Sequence, residues 1–255
     1  MSGSIKNESP KTLLVLDGVC KNFGGVIAND HVSFKLHSGE VLGLIGPNGA
    51  GKTTLINLIT GIYQPTQGTI TFLGQPMNGL PTHKRAMLGM GRTFQHPHLL
   101  GRCDISTNII MGADMYNRRH GAAKEDIDGE LSELLECAGL ENIKMDDPID
   151  KLSYGQQKLL EVVRVLLSQP RIMLLDEPAA GLNNREGQYV AALIKYAVSK
   201  GIGVLLIEHS MELVMSICDD ITVLNFGQQI AFGTPAEIQN DEEVIHAYLG
   251  GAKNA

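Results

Sequence analysis

The sequence predicts an α/β fold with a largely parallel sheet, and three observations predict it. Residues 46–54 read GPNGAGKTT and fit the phosphate-loop pattern G-x-x-x-x-G-K-[ST], with Gly46, Gly51, Lys52 and Thr53 in register. This run lies between an apolar stretch of strand type, residues 41–45, and a stretch apolar at helical spacing, residues 54–60, stopped by Gly61. Further on, short apolar runs at 172–175, 204–207 and 221–224 recur, with a helical segment at 184–200 between the first two. Strands alternating with helices imply a parallel sheet covered on both faces.

The elements follow in order. Residues 1–10 are polar and carry Pro10, as a frayed tail would. Residues 12–16 are apolar and β-like, and HVSFKL at 31–36 alternates as a half-buried strand does. Ser38-Gly39-Glu40 turns the chain into the strand before the phosphate loop. A turn at 65–68 precedes a β-rich run at 69–73, and 90–94 reads as another short strand. From about Gln95 to Ser168 the signals become helical. Helices are expected over 104–116 and 124–138, the second stopped by Gly139. A long helix follows Ser153 and ends before Pro170, with its apolar stripe at Leu159, Leu160, Val163, Leu166 and Leu167. A last strand is expected at 228–232, then one or two helices over 235–249. One domain, residues 11–250, therefore divides into a core (11–94 and 169–250) and an inserted helical subdomain (95–168).

Composition narrows the function. The 255 residues are 43% hydrophobic and 19% charged, as in a globular soluble protein. A net charge of −7 argues against nucleic acid as a partner. No apolar run reaches the length of a membrane span, and residues 1–10 lack the apolar centre of a signal peptide. The four cysteines are scattered without a C-x-x-C pair, and are expected to be reduced, mostly buried and cytosolic.

The chemistry is concentrated in three runs. Gly46, Pro47, Asn48, Gly49, Ala50 and Gly51 form a loop whose backbone N–H groups face a phosphate chain, and the helix starting near Thr54 adds its positive end. Lys52 reaches the β- and γ-phosphates and the Thr53 hydroxyl ligates Mg²⁺, so the bound molecule is a nucleoside triphosphate. In IMLLDE, residues 172–177, a buried strand delivers Asp176 to the carboxyl edge of the sheet, where it holds Mg²⁺. The next residue, Glu177, can take a proton from attacking water. In LSYGQQ, residues 152–157, Ser153 and Gln156 make a capping box, and the same helix end with Gly155 is an anion site. Ser153 cannot serve its own helix and a phosphate fully at once.

At LSYGQQ the sequence resembles the ATP-binding cassette (ABC) ATPases, whose signature reads LSGGQ; Tyr154 replaces its first glycine. The resemblance spans about 13–250 and implies a P-loop (RecA-like) ATPase core with a parallel sheet, N-terminal antiparallel strands and an inserted helical subdomain. It implies ATP and Mg²⁺ as ligands, with Ser153, Gly155 and Gln156 completing the site of a second, facing subunit. Gln95 is similar to the family's Q-loop glutamine, which senses Mg²⁺ and the membrane partner. His209 is similar to the switch histidine on the γ-phosphate. Phe23 sits where an aromatic stacks on adenine, or else is a core residue. Asn183 stands where the family's D-loop has Asp. GRTFQHPHL, DEPAAGLN, IEHSMELV and AYLGG together resemble the G-type ATPase of branched-chain amino acid importers; residues 101–110, GRCDISTNII, depart from that pattern.

The implied assembly is a head-to-tail pair with a related, non-identical ATPase. It carries two integral membrane permeases and an extracytoplasmic solute-binding protein, at the cytoplasmic face of the inner membrane. Alternatives are a lipid or lipopolysaccharide exporter ATPase and a non-transport ABC ATPase. Permease docking is expected over 96–115, with Leu99 and Leu100 either at the contact or packed inside the subdomain.

Overall fold

The structure, a computed structural model, describes residues 11–121, 123 and 126–250. The expected tail at 1–10 and the helix start at Lys124 lie outside the described residues. The strands are β1 (Thr12–Phe23), β2 (Val26–His37), β3 (Val41–Ile45), β4 (Gln67–Phe72), β5 (Gln75–Pro76), β6 (Met90–Arg92), β7 (Ile172–Asp176), β8 (Gly203–Ile207), β9 (Asp220–Asn225) and β10 (Gln228–Gly233). The helices are α1 (Lys52–Thr60), α2 (Thr82–Leu88), α3 (Ile105–His120), α4 (Ile127–Cys137), α5 (Tyr154–Leu167), α6 (Asn184–Ser199), α7 (Met211–Ile217), α8 (Pro235–Gln239) and α9 (Glu242–Gly250).

The strands form one twisted sheet in the order β5-β4-β1-β2-β10-β9-β3-β8-β7-β6. The half from β9 to β6 is parallel throughout. β1, β2, β4 and β5 are antiparallel, and β2 joins the two halves through β10. Side chains alternate across the parallel strands, so each strand feeds two cores. Val41, Ile45, Met173, Leu175, Val204 and Leu206 pack on the face covered by α5 and α6. Leu42, Leu44, Ile172, Leu174, Leu205 and Ile207 pack on the other face with α1, β1 and β4. Burial on both faces explains the unbroken apolar runs of the sequence.

Several boundaries differ from the sequence reading. β1 runs to Phe23 because register shifts after Leu16 and Val19 break the alternation while pairing with β2 continues. β6 stops at Arg92, two residues short of the expected Phe94. α1 starts at Lys52, two residues earlier than expected, and Gly61 ends it in a left-handed conformation. A fully buried cation ties the C-terminus of α1 to the chain before α2: Arg85 donates to Leu58 O (2.8 Å) and Ile59 O (2.7 Å) of α1, and to Met77 O (2.6 Å) and Leu80 O (2.9 Å). That side chain explains α2, an element the sequence did not predict. No helix among the described residues is long and apolar enough to cross a membrane.

Candidate active site

β3, β7 and β8 lie side by side and parallel, so their carboxyl ends open on one edge. The loop after β3 wraps the start of α1. Gly51 caps this helix with φ 100°, a conformation that suits glycine, and a Cβ there would strike Ala28 O. No side chain caps α1 and its first turn carries no acid, whereas side chains cap α3 to α8. The N–H groups of this helix end thus remain available to an anion. Lys52 is buried, and its ammonium donates to Gly46 O (2.6 Å) and Pro47 O (3.0 Å). Burial pushes its pKa down, while the charges of Glu177 and Asp176 oppose that shift. A cavity of about 280 Å³ lies over the loop, lined by Asn48–Thr54 together with Val26, Ile27, Ala28, Glu177 and His209.

Glu177 follows β7 in the left-handed region, φ 51°, a strained backbone for a residue with a Cβ. Its N–H donates to Ile207 O at 2.9 Å, tying the ends of β7 and β8. Its carboxylate is bracketed: His209 Nε2 is 2.8 Å from Oε1, and Gln95 Nε2 donates to Oε2 at 3.0 Å. The turn beyond it is fixed by Glu208, whose carboxylate accepts from Ala179 N at 2.6 Å.

Asp176 is buried at the end of β7 and paired with Arg92, whose NH2 donates to Oδ2 at 3.2 Å. Arg92 NH1 also donates to Asn57 Oδ1 (2.8 Å) and Thr60 Oγ1 (3.3 Å) on α1. Burial pushes the Asp176 carboxyl up, against the pull of Arg92. The Asp176 carboxylate, the Thr53 hydroxyl and the Gln95 side-chain carbonyl are oxygen donors, the kind Mg²⁺ takes. Of these the Asp176 carboxylate is held by Arg92, and Thr53 lines the cavity over the loop.

The start of α5 brings in the signature-like run. Ser153 Oγ accepts from Gln156 N, and Gln156 Oε1 accepts from Ser153 N at 2.9 Å, completing the box. Gly155 is buried against the Glu186 carboxylate, which would have to shift to admit a Cβ there. Glu186 belongs to the capping box of α6, whose cap is Asn183. Ser153 and Gln156 are not among the residues that line the Lys52 cavity. Phe23 is no core residue: it is 42% exposed, and its ring meets Tyr63 edge-on at 5.2 Å, with Lys21 Nζ 4.8 Å above it. It pairs with Val26, a residue of the cavity wall. Leu99 packs against the core, whereas Leu100 is exposed.

Three residues of this region escaped the sequence reading. Arg92, Lys158 and Glu208 are buried or nearly so, and each acts on residues far away in the chain.

A phosphate loop feeding α1, a histidine just past the adjacent strand β8 and two acids at the end of β7 beyond it define a nucleotide hydrolase. Residues 29–180 match the ABC transporter family, so the chain belongs to that family and is an ATP-binding, ATP-hydrolysing member of it. Residues 228–254 match a further family described as branched-chain amino acid ATP-binding cassette transporter. The chain is 41% identical over 253 residues to the high-affinity branched-chain amino acid transport ATP-binding protein BraF of Pseudomonas aeruginosa, covering 95% of this chain and 99% of the relative. It is 40% identical over 257 residues to LivG of Escherichia coli, of the same description, covering 94% and 98%. The ADP conformation of MJ1267, an ATP-binding cassette of an ABC transporter, superposes with a TM-score of 0.81 at 30% identity, covering 94% of this chain and 99% of the other.

Proposed function

We propose that this chain energises uptake of branched-chain amino acids or related small polar solutes, as the ATP-hydrolysing subunit of an importer at the cytoplasmic face of the membrane. The observation that carries the catalytic part is the Glu177 carboxylate held between Gln95 and His209 beside the Lys52 loop. The transport part rests on the branched-chain family match at 228–254.

In this reading the loop 46–51, Lys52 and Thr54 hold the phosphates of ATP, and Phe23 stacks on adenine. Thr53, Asp176 and Gln95 hold Mg²⁺, which neutralises phosphate charge when bound. Glu177 takes the proton of the attacking water, and His209 orients Glu177 and the γ-phosphate. Ser153, Gly155 and Gln156, which do not line this cavity, serve the nucleotide of a second ATPase subunit, packed head to tail. Residues 96–115 contact one of two permease subunits, with Leu100, Ile110 and Met111 as the exposed apolar contacts. A solute-binding protein on the far side delivers the solute. The chain acts as one domain, residues 11–250, with its helical subdomain at 95–168.

Uptake of radiolabelled leucine tests this reading in cells lacking the chromosomal copy. The intact chain should restore uptake and Glu177→Gln should not. Unchanged leucine, isoleucine and valine uptake on deletion, with a lipid-export defect instead, would overturn the import reading.

A further inference from the structure

The Nζ of Lys158 lies in the catalytic turn although the residue belongs to α5. Lys158 is 3% exposed, and its ammonium donates to Glu177 O at 2.7 Å and Ala180 O at 3.0 Å. Glu177 holds a left-handed φ of 51°, so a tether on its carbonyl bears on where its carboxylate points. A buried ammonium carries a desolvation penalty that an apolar side chain of equal length would not. Of the neighbouring buried positions of α5, Leu159, Leu160, Val162 and Val163 are apolar, and the one other charged side chain, Glu161, is likewise spent on backbone groups outside the helix. Lys158 is thus a poor choice for packing and a good one for holding two carbonyls of a strained turn. Burial pulls its pKa down, whereas Glu208, Glu177, Glu161 and Asp176 all favour the charged form.

The same face of α5 also grips the segment around Gln95. Tyr154, one turn before Lys158, donates its hydroxyl to Gln95 O at 3.2 Å. Glu161, the next residue on that face, accepts from His98 N at 3.0 Å and Phe94 N at 3.5 Å. The catalytic turn and the segment carrying Gln95 are therefore both fastened to α5, the helix capped by Ser153, while His209 reaches Glu177 from beyond β8.

We propose that Lys158 is a positioning residue for Glu177. It holds the turn 177–180 in its reactive geometry and couples that turn rigidly to the helix end offered to the partner's nucleotide. The inference rests on the reading of Glu177 as the base. Lys158→Met should lower the kcat of MgATP hydrolysis about 100-fold, the effect of misplacing a reacting group by about 1 Å. KM for ATP should stay within about threefold, because Lys158 touches no nucleotide-binding group. Lys158→Arg, which retains donors, should recover part of kcat. Added to Glu177→Gln, Lys158→Met should cost nothing further.

If Lys158→Met does not fold, Lys158→Gln is measured in its place, with lowered kcat at unchanged KM expected. Unchanged kcat in the folded variant overturns the proposal. So does a joint loss of ATP affinity, melting temperature and kcat that Arg fails to rescue, which would mark Lys158 as packing alone. Turnover surviving in Glu177→Gln itself would strike the reading of Glu177, a result distinct from either.

Discussion

His209 Nε2 lies 2.8 Å from Glu177 Oε1, although the two residues stand 32 positions apart. The proximity follows from the sheet. β7 and β8 are adjacent and parallel, with Asp176 beside Ile207, so the residues just past each strand emerge together. Backbone geometry alone carries an imidazole to a carboxylate, and Gln95 closes the other side from the segment after β6. Hydrolysis in this account depends on that three-way contact.

The Arg92–Asp176 pair is buried on both sides, with side chains 10% and 9% exposed. Removing one partner leaves the other charge without compensation. Arg92→Met and Asp176→Asn should each lower stability, Arg92→Met by about 3–5 kcal/mol. The double variant should be more stable than the sum of the single losses predicts, because neither charge is then stranded. Urea melts of the four proteins check this, and strict additivity would show that the pair is uncoupled.

Ser153 caps α5 and in this account also serves the facing subunit. Ser153→Ala should cost about 1 kcal/mol of stability through the lost cap. Ser153→Arg should stop hydrolysis in the assembled transporter while the isolated chain keeps its ATP affinity. Fluorescent-nucleotide titration of the monomer separates the cases. A fall in monomer affinity matching the fall in hydrolysis would place Ser153 at its own chain's nucleotide.

Burial raises the pKa of Glu161 above its ordinary 4.5, against hydrogen bonds from His98 and Phe94 and the charge of Arg164. A carboxyl raised on folding adds stability below its unfolded pKa and loses it as pH rises through the folded value. Glu161→Gln does not titrate. The melting temperature of Glu161→Gln minus that of the natural protein should therefore grow as pH is raised from about 4.5 toward neutrality. Thermal melts across that range give the slope, and a flat or falling difference would contradict it.

What the sequence revealed depended on how local each signal was. β3, β7 and β8 were legible to within a residue because both their faces are buried and the chain writes that as an apolar run. The phosphate loop and the Ser153–Gln156 box were legible because their partners lie within a few residues. The far end of β1 was not, since the register shifts after Leu16 and Val19 erase the alternation. α2 was missed because its reason, Arg85 on the carbonyls of α1, lies 26 and 27 residues away. Gln95 and His209 were found through family resemblance, and their meeting on Glu177 is a product of strand order. Lys158 and Arg92 were not found, because the groups they hold lie 19 to 84 residues along the chain.

The most direct test of the account is single-turnover hydrolysis of ATP by Glu177→Gln. The amide keeps the shape of the carboxyl but cannot accept the proton from water. MgATP affinity should match the natural protein, the hydrolysis rate should fall by about 10²–10⁴-fold, and a stable ATP-bound dimer should accumulate in light scattering. Hydrolysis at the natural rate with ATP bound would show that Glu177 is not the base, and the central claim would fail.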